Sequence, residues 1–124
     1  MLDSEKIIGF VPITDAARSK AFYEKLGLKF VSQDSFAVVF EANGNMLRLT
    51  LMKEVTPQPF TIMGWQVTDI EKSVKELQAA GVQFERFGDF MKQDELGIWT
   101  APGGNRVAWF KDPDGNTLSV SQHD

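Results

Sequence analysis

The chain has 124 residues, 43% of them hydrophobic and 24% charged, which fits one folded domain rather than two full-sized ones or a disordered tract. Thirteen Lys and Arg stand against 17 Asp and Glu, a formal charge of −4, so the composition offers no basic footprint for nucleic acid. There is no cysteine, which excludes disulfides, thiolate metal sites and a cysteine nucleophile.

The opening residues, MLDSEK, lack a basic stretch followed by an apolar core, so a cytoplasmic protein without a secretory leader is expected. No apolar run approaches the length that spans a bilayer, and no membrane partner is expected. A short strand is predicted over Ile7–Ile13. Thr14 or Asp15 then caps a helix with Ala21, Phe22 and Leu26 as its inward stripe, and Gly27 ends it. Extended segments follow at Lys29–Ser32, Phe36–Glu41 and Met46–Met52, the last two joined by Ala-Asn-Gly-Asn, a hairpin turn that tolerates positive φ. Lys53–Pro59, with Pro57 and Pro59, reads as a linker. A second strand-helix pair comes next: Phe60–Val67, then Asp69 as cap with Ile70, Val74 and Leu77 at i, i+4 and i+7, and Gly81 as stop. The chain closes with a hairpin around Asp-Pro-Asp-Gly-Asn.

These elements repeat. A shift of 54 residues lays Thr14–Ser19 on Thr68–Ser73 and Gly27–Phe30 on Gly81–Phe84. A shift of 71 lays Phe36–Leu49 on Val107–Val120, so the second copy carries 17 extra residues between Phe84 and Val107. The expected architecture is α+β, with two pseudo-symmetric β-α-β-β-β modules forming a curled half-barrel around a cleft. Residues 1–124 are expected to make a single domain, with module one at about 5–52, a linker at 53–59 and module two at about 60–122. Alternation places Leu47, Leu49 and Leu51 on one strand face and Arg48 and Thr50 on the other; Leu118 and Val120 oppose Thr117, Ser119 and Ser121 in the second copy. The opening strand of the first copy is apolar on both faces, so alternation leaves it unoriented.

The segment Phe10-Val-Pro-Ile-Thr-Asp15, followed by Ser19-Lys-Ala-Phe22-Tyr23-Glu-Lys-Leu26-Gly27-Leu28, resembles the first module of the vicinal oxygen chelate superfamily, which holds glyoxalase I, bleomycin-resistance proteins and extradiol dioxygenases. Trp109-Phe110-Lys111-Asp112-Pro113-Asp114-Gly115-Asn116 resembles the hairpin near the end of its second module. The resemblance implies the same paired-module fold and assembly into a homodimer, but one such scaffold carries many activities. It also implies metal-ligand positions at Ile8, Ile62, Arg48 and Ser119. Neither isoleucine nor arginine can ligate, and serine is a poor partner for Zn²⁺ or Ni²⁺. No metal and no cofactor are therefore expected, and metal-dependent glyoxalase or dioxygenase activity is disfavoured.

The residue pattern points to a small organic ligand. Ile8, Phe10, Arg48, Thr50, Gln66 and Ser119 are placed facing the cleft, with Asp94, Glu95 and Trp99 added from the long loop. Phe36, Phe40, Met46 and Met52 are further candidates for apolar walls. An arginine in such a setting can grip a carboxylate or phosphate through paired hydrogen bonds, or can instead pair internally with Glu41, Asp94 or Glu95. The expected function is metal-independent small-molecule binding of the glyoxalase/bleomycin-resistance type, with antibiotic sequestration as one version. The acidic chain suits a cationic drug such as bleomycin, whereas Arg48 suits an anionic group. Two alternatives stay open: a metal-free isomerase or lyase with Asp94 or Glu95 as base, and a non-catalytic accessory subunit. His123, the sole histidine, reads as part of a solvated tail.

Overall fold

A computed structural model describes residues 1–124, and the chain resolves into two compact modules, Met1–Thr56 and Pro57–Asp124. In the first, β1 (Ile8–Ile13) leads to α1 (Ala16–Lys25), then β2 (Lys29–Gln33), β3 (Ala37–Ala42) and β4 (Asn45–Leu51). The second runs β5 (Thr61–Gln66), α2 (Ile70–Ala79), β6 (Trp99–Thr100), β7 (Arg106–Lys111) and β8 (Thr117–Gln122). Each module holds one four-stranded sheet, ordered β1-β4-β3-β2 and β5-β8-β7-β6, with the opening strand parallel to the closing one and the other pairs antiparallel.

Local chemistry sets the helix ends as expected. Asp15 accepts the Arg18 amide at 3.0 Å and Asp69 accepts the Lys72 amide at 3.1 Å, each satisfying a free N–H of the first turn. Gly27 and Gly81 take φ of 95° and 97° just past the helix ends, a conformation that costs a side-chain-bearing residue energy. The inward face of α1 differs from the expected stripe: Ser19 and Tyr23 are fully buried, while Ala21 is exposed and Phe22 and Leu26 are half-buried.

The two cores are built alike. Tyr23 packs 6.1 Å from Phe40, which lies beside Val11, Ile13, Val38 and Leu49 in the first module's buried set. Trp65 stacks on Phe110 at 6.2 Å in the second module, whose buried set includes Ile70, Val74, Leu118 and Val120. Burying each such side chain contributes about 1.5–3 kcal/mol before entropy opposes it. Phe40 is thus core rather than a ligand wall. Burial also orients β1, turning Val11 and Ile13 inward and leaving Ile8 and Phe10 exposed.

Three further expectations need correction. The sheets are not curled into a half-barrel around a cleft. Both are open, with free edges at β1 and β2 and at β5 and β6, and no pairing closes either ladder. Four strands, one of them only two residues long, are too few for the tilt and stagger that close a barrel. Second, a single 71-residue shift does not hold through the hairpins. Glu41 pairs with Met46 across four residues, but Lys111 pairs with Thr117 across five. The longer turn moves β7 by one position, so Phe40 corresponds to Phe110 and Val39 to Trp109. Third, the segment at Phe84 is reduced to one isolated bridge with Phe110, and the edge strand comes from within the extra residues as β6. No helix is long and apolar enough to cross a membrane.

Candidate functional site

In the first module the face opposite the core gathers four of the candidate residues. The β1–β4 register pairs Ile8 with Met46, Phe10 with Arg48 and Pro12 with Thr50, and paired residues share a face. Phe10 is 61% exposed and Ile8 44%, an apolar surface beside the half-buried Arg48. Arg48 makes no hydrogen bond and no ion pair. Of the expected internal partners, Glu41 accepts the Gly44 amide at 2.6 Å through Oε1, and Asp94 accepts amides of its own loop through Oδ1. The Asp34 carboxyl is held below the usual range mainly by the Phe36 amide, then by the Ala37 amide, with the charge of Arg48 adding to the effect.

The second module's open face has a different make-up. Gly64 pairs with Ser119 and Gln66 with Ser121 on β8, and Trp109 pairs with Ser119 on β7. Ser119 is 7% exposed, and a Cβ on Gly64 would sit 2.5 Å from its Oγ. Trp109 donates its indole N–H to Thr61 Oγ1 at 2.9 Å. Phe87 meets the Trp109 ring edge-on at 5.5 Å, and Trp99 lies tilted against it at 6.1 Å. His123 is exposed, yet its Nε2 lies 2.9 Å from Ser121 Oγ, so the tail is tied to β8.

The segment between Phe84 and β6 is built by side chains reaching to backbone. Arg86 donates to the carbonyls of Asp94 and Glu95. Gln93 accepts the Phe87 amide and donates to the carbonyls of Glu85 and Gly97. Asp94 Oδ1 accepts the amides of Leu96 and Ile98 at 2.9 Å. The Asp94 carboxylate therefore shapes the loop, and Glu95 is exposed.

A family model described as the Glyoxalase/Bleomycin resistance protein/Dioxygenase superfamily matches residues 8–120. The chain belongs to this superfamily. Among solved structures it is similar to a bleomycin resistance determinant encoded on the transposon Tn5, with a TM-score of 0.76 and 20% identity over 98% of this chain and 99% of that one. It is also similar to a bleomycin-binding protein complexed with bleomycin, at TM-score 0.75 and 20% identity over 98% and 100% of the two chains. A genomically encoded fosfomycin resistance protein from Listeria monocytogenes gives 0.74 and 13% over 98% and 94%. At these identities the likeness is one of fold. Among curated proteins, none matches this sequence.

For a superfamily that includes dioxygenases, the fit of a metal is a direct question of donors. The first module offers Ile8 and Arg48, and the second offers Ile62 and the buried Ser119. A hydrocarbon cannot donate, a guanidinium repels a cation, and a lone hydroxyl is a weak ligand. No group of three or more His, Cys, Asp or Glu is placed to hold a metal ion. The residues present do not fit the group.

Ile8, Phe10, Arg48 and Thr50 therefore share one face of the first sheet, and Gln66, Trp99 and Ser119 share one face of the second. Asp94 and Glu95 belong to the loop. Sequence reasoning missed Trp109, Thr61 and Phe87. Alternation in β7 gave no signal for Trp109, because Val107, Ala108, Trp109 and Phe110 are apolar on both faces. It is the burial of Ala108 and Phe110 that turns the tryptophan between them out.

Proposed function

We propose that this chain is a metal-independent small-molecule-binding protein of the glyoxalase/bleomycin-resistance type, with antibiotic sequestration as the specific role. In this reading Arg48 holds a carboxylate or phosphate of the ligand, Thr50 adds a hydroxyl, and Ile8 and Phe10 cover the ligand's apolar part. The observation that carries it is the unpaired Arg48 guanidinium within an apolar strand face. A ligand carboxylate or phosphate would supply the hydrogen-bond acceptor that this guanidinium lacks within the chain. The proteins of similar fold that bind or resist bleomycin favour a binding role. A base role for Asp94 gains no support, because its carboxylate already accepts two amides. Homodimerisation belongs to the same proposal, resting on exposed Phe36 and on free sheet edges.

The test is calorimetric titration of the purified chain with aromatic carboxylates, aromatic phosphates and bleomycin, alongside light scattering for mass. Arg48→Gln is expected to weaken binding of the anionic ligands by about 2 kcal/mol, roughly thirtyfold. Equal affinity of wild type and variant for every anionic ligand would overturn the assignment.

A further inference from the structure

We propose that the second module carries its own binding site for a planar, uncharged aromatic molecule with a hydrogen-bond acceptor on its rim, a site that makes no use of Arg48. A groove of about 560 Å³ lies on this module, lined by Trp109, Phe87, Phe60, Thr61 and the Pro57–Pro59 segment, among others. That volume suits a drug-sized molecule.

Three features define the occupant's chemistry. Charge comes first. Glu85 and Lys111 are the only ionisable residues in the lining, and they pair with each other at 3.4 Å. The groove thus presents no net charge and has no free ion for a charged ligand. Shape comes second. The Trp109 ring is fixed by its N–H bond to Thr61, by the edge of Phe87 and by Trp99. A flat aromatic surface held in this way favours an offset-stacked or edge-on ring. Phe60 and Phe87 remain 59% and 42% exposed beside it, apolar area that a bound ring would remove from water. Polarity comes third. Thr61 Oγ1 accepts the indole proton, which leaves its own hydroxyl proton to donate. The indole N–H is already engaged, so the ligand must supply an acceptor rather than compete for that donor.

The groove wall is held in place beforehand. Gly115, at φ 88°, lies so close to the linker that a Cβ there would stand 2.9 Å from Pro57 Cγ. Two prolines in the wall restrict its backbone further. Such preorganisation lowers the ordering cost of binding.

The site is tested with 7-amino-4-methylcoumarin, a neutral planar ring with a carbonyl acceptor, titrated into the full chain and read by fluorescence. Naphthalene, which has the ring and no acceptor, is the comparison. Saturable one-site binding of the coumarin to wild type is expected, weakened about tenfold in Thr61→Val, with naphthalene changed less than about twofold. Trp109→Phe should weaken both probes, by about fivefold. Arg48→Gln should leave both unchanged, so failure here and failure of the Arg48 reading are separate results. Absence of saturable coumarin binding to wild type, equal affinity in Thr61→Val, or loss of binding in Arg48→Gln would each overturn the proposal.

Discussion

The two open sheet faces share their register at the centre, with a shift between Thr61 and Met63 in the second alone, and they carry different side chains. Where the first module pairs Phe10 with Arg48 and Arg48 with Val39, the second pairs Gly64 with Ser119 and Ser119 with Trp109. The large ring has moved from the edge strand to an inner strand, and the guanidinium has become a buried hydroxyl. The charge at the end of the inner strand reverses as well, from Glu41 to Lys111. Duplicated scaffolds keep their cores alike, as Phe40 and Phe110 show, because packing tolerates little change in volume. The open faces have no such constraint and diverge, one carrying Arg48 and the other Trp109.

The sharpest way to break this contrast is to exchange residues between the faces. Gly64→Phe, which imports the residue of the first module, should prevent stable folding of the second. Even Gly64→Ala places its Cβ 2.5 Å from Ser119 Oγ and 3.0 Å from the Ser119 carbonyl oxygen. A loss of about 2 kcal/mol in urea unfolding is expected for Gly64→Ala. Adding Ser119→Gly should recover part of it, whereas no recovery would place the strain in the backbone. In the reverse direction, Arg48→Ser gives the first face the small hydroxyl of the second. It should abolish preference for anionic ligands while changing stability by less than about 0.5 kcal/mol.

A smaller effect concerns Asp34, whose carboxyl is lowered by the Phe36 and Ala37 amides and by Arg48. Its folded-state pKa lies below the unfolded one, so its stabilisation is complete above about pH 4 and fades as pH falls through the lowered value. Asp34→Ala should therefore lower Tm at neutral pH, with the gap to wild type closing in acid. A gap independent of pH would show that the carboxylate charge takes no part. A last contrast separates Ser19 from its counterpart Ser73. Ser19 is fully buried and its Oγ has no partner, whereas Ser73 is half-buried. Ser19→Ala should raise stability by about 1 kcal/mol and Ser73→Ala should change little, measured by chemical denaturation.

Features fixed by neighbours in the chain were legible beforehand. Asp15 and Asp69 as caps, Gly27 and Gly81 as stops and the Asn43–Gly44 turn all act within a few residues of themselves. The first face was partly legible, since alternation in β4 separates Arg48 and Thr50 from the leucines. Orientation of β1 was hidden because it is apolar on both sides, and only burial distinguishes them. The β7 register depended on one extra turn residue, which a gapless repeat cannot register. Sheet closure and the Trp109–Thr61 bond, 48 residues apart in the chain, depend on long-range pairing that composition does not encode. Trp109, Thr61 and Phe87 were missed for that reason, although Trp99 beside them was among the candidates.

The segment from Arg86 to Gly97 is anchored by Arg86, Gln93 and Asp94, each bonding to main-chain atoms. Its tip at Asp89 and Phe90 is left out of these bonds, with Phe90 96% exposed. The tip is therefore a natural graft point: a reporter dye or foreign epitope could replace those two residues while the anchors beneath stay intact.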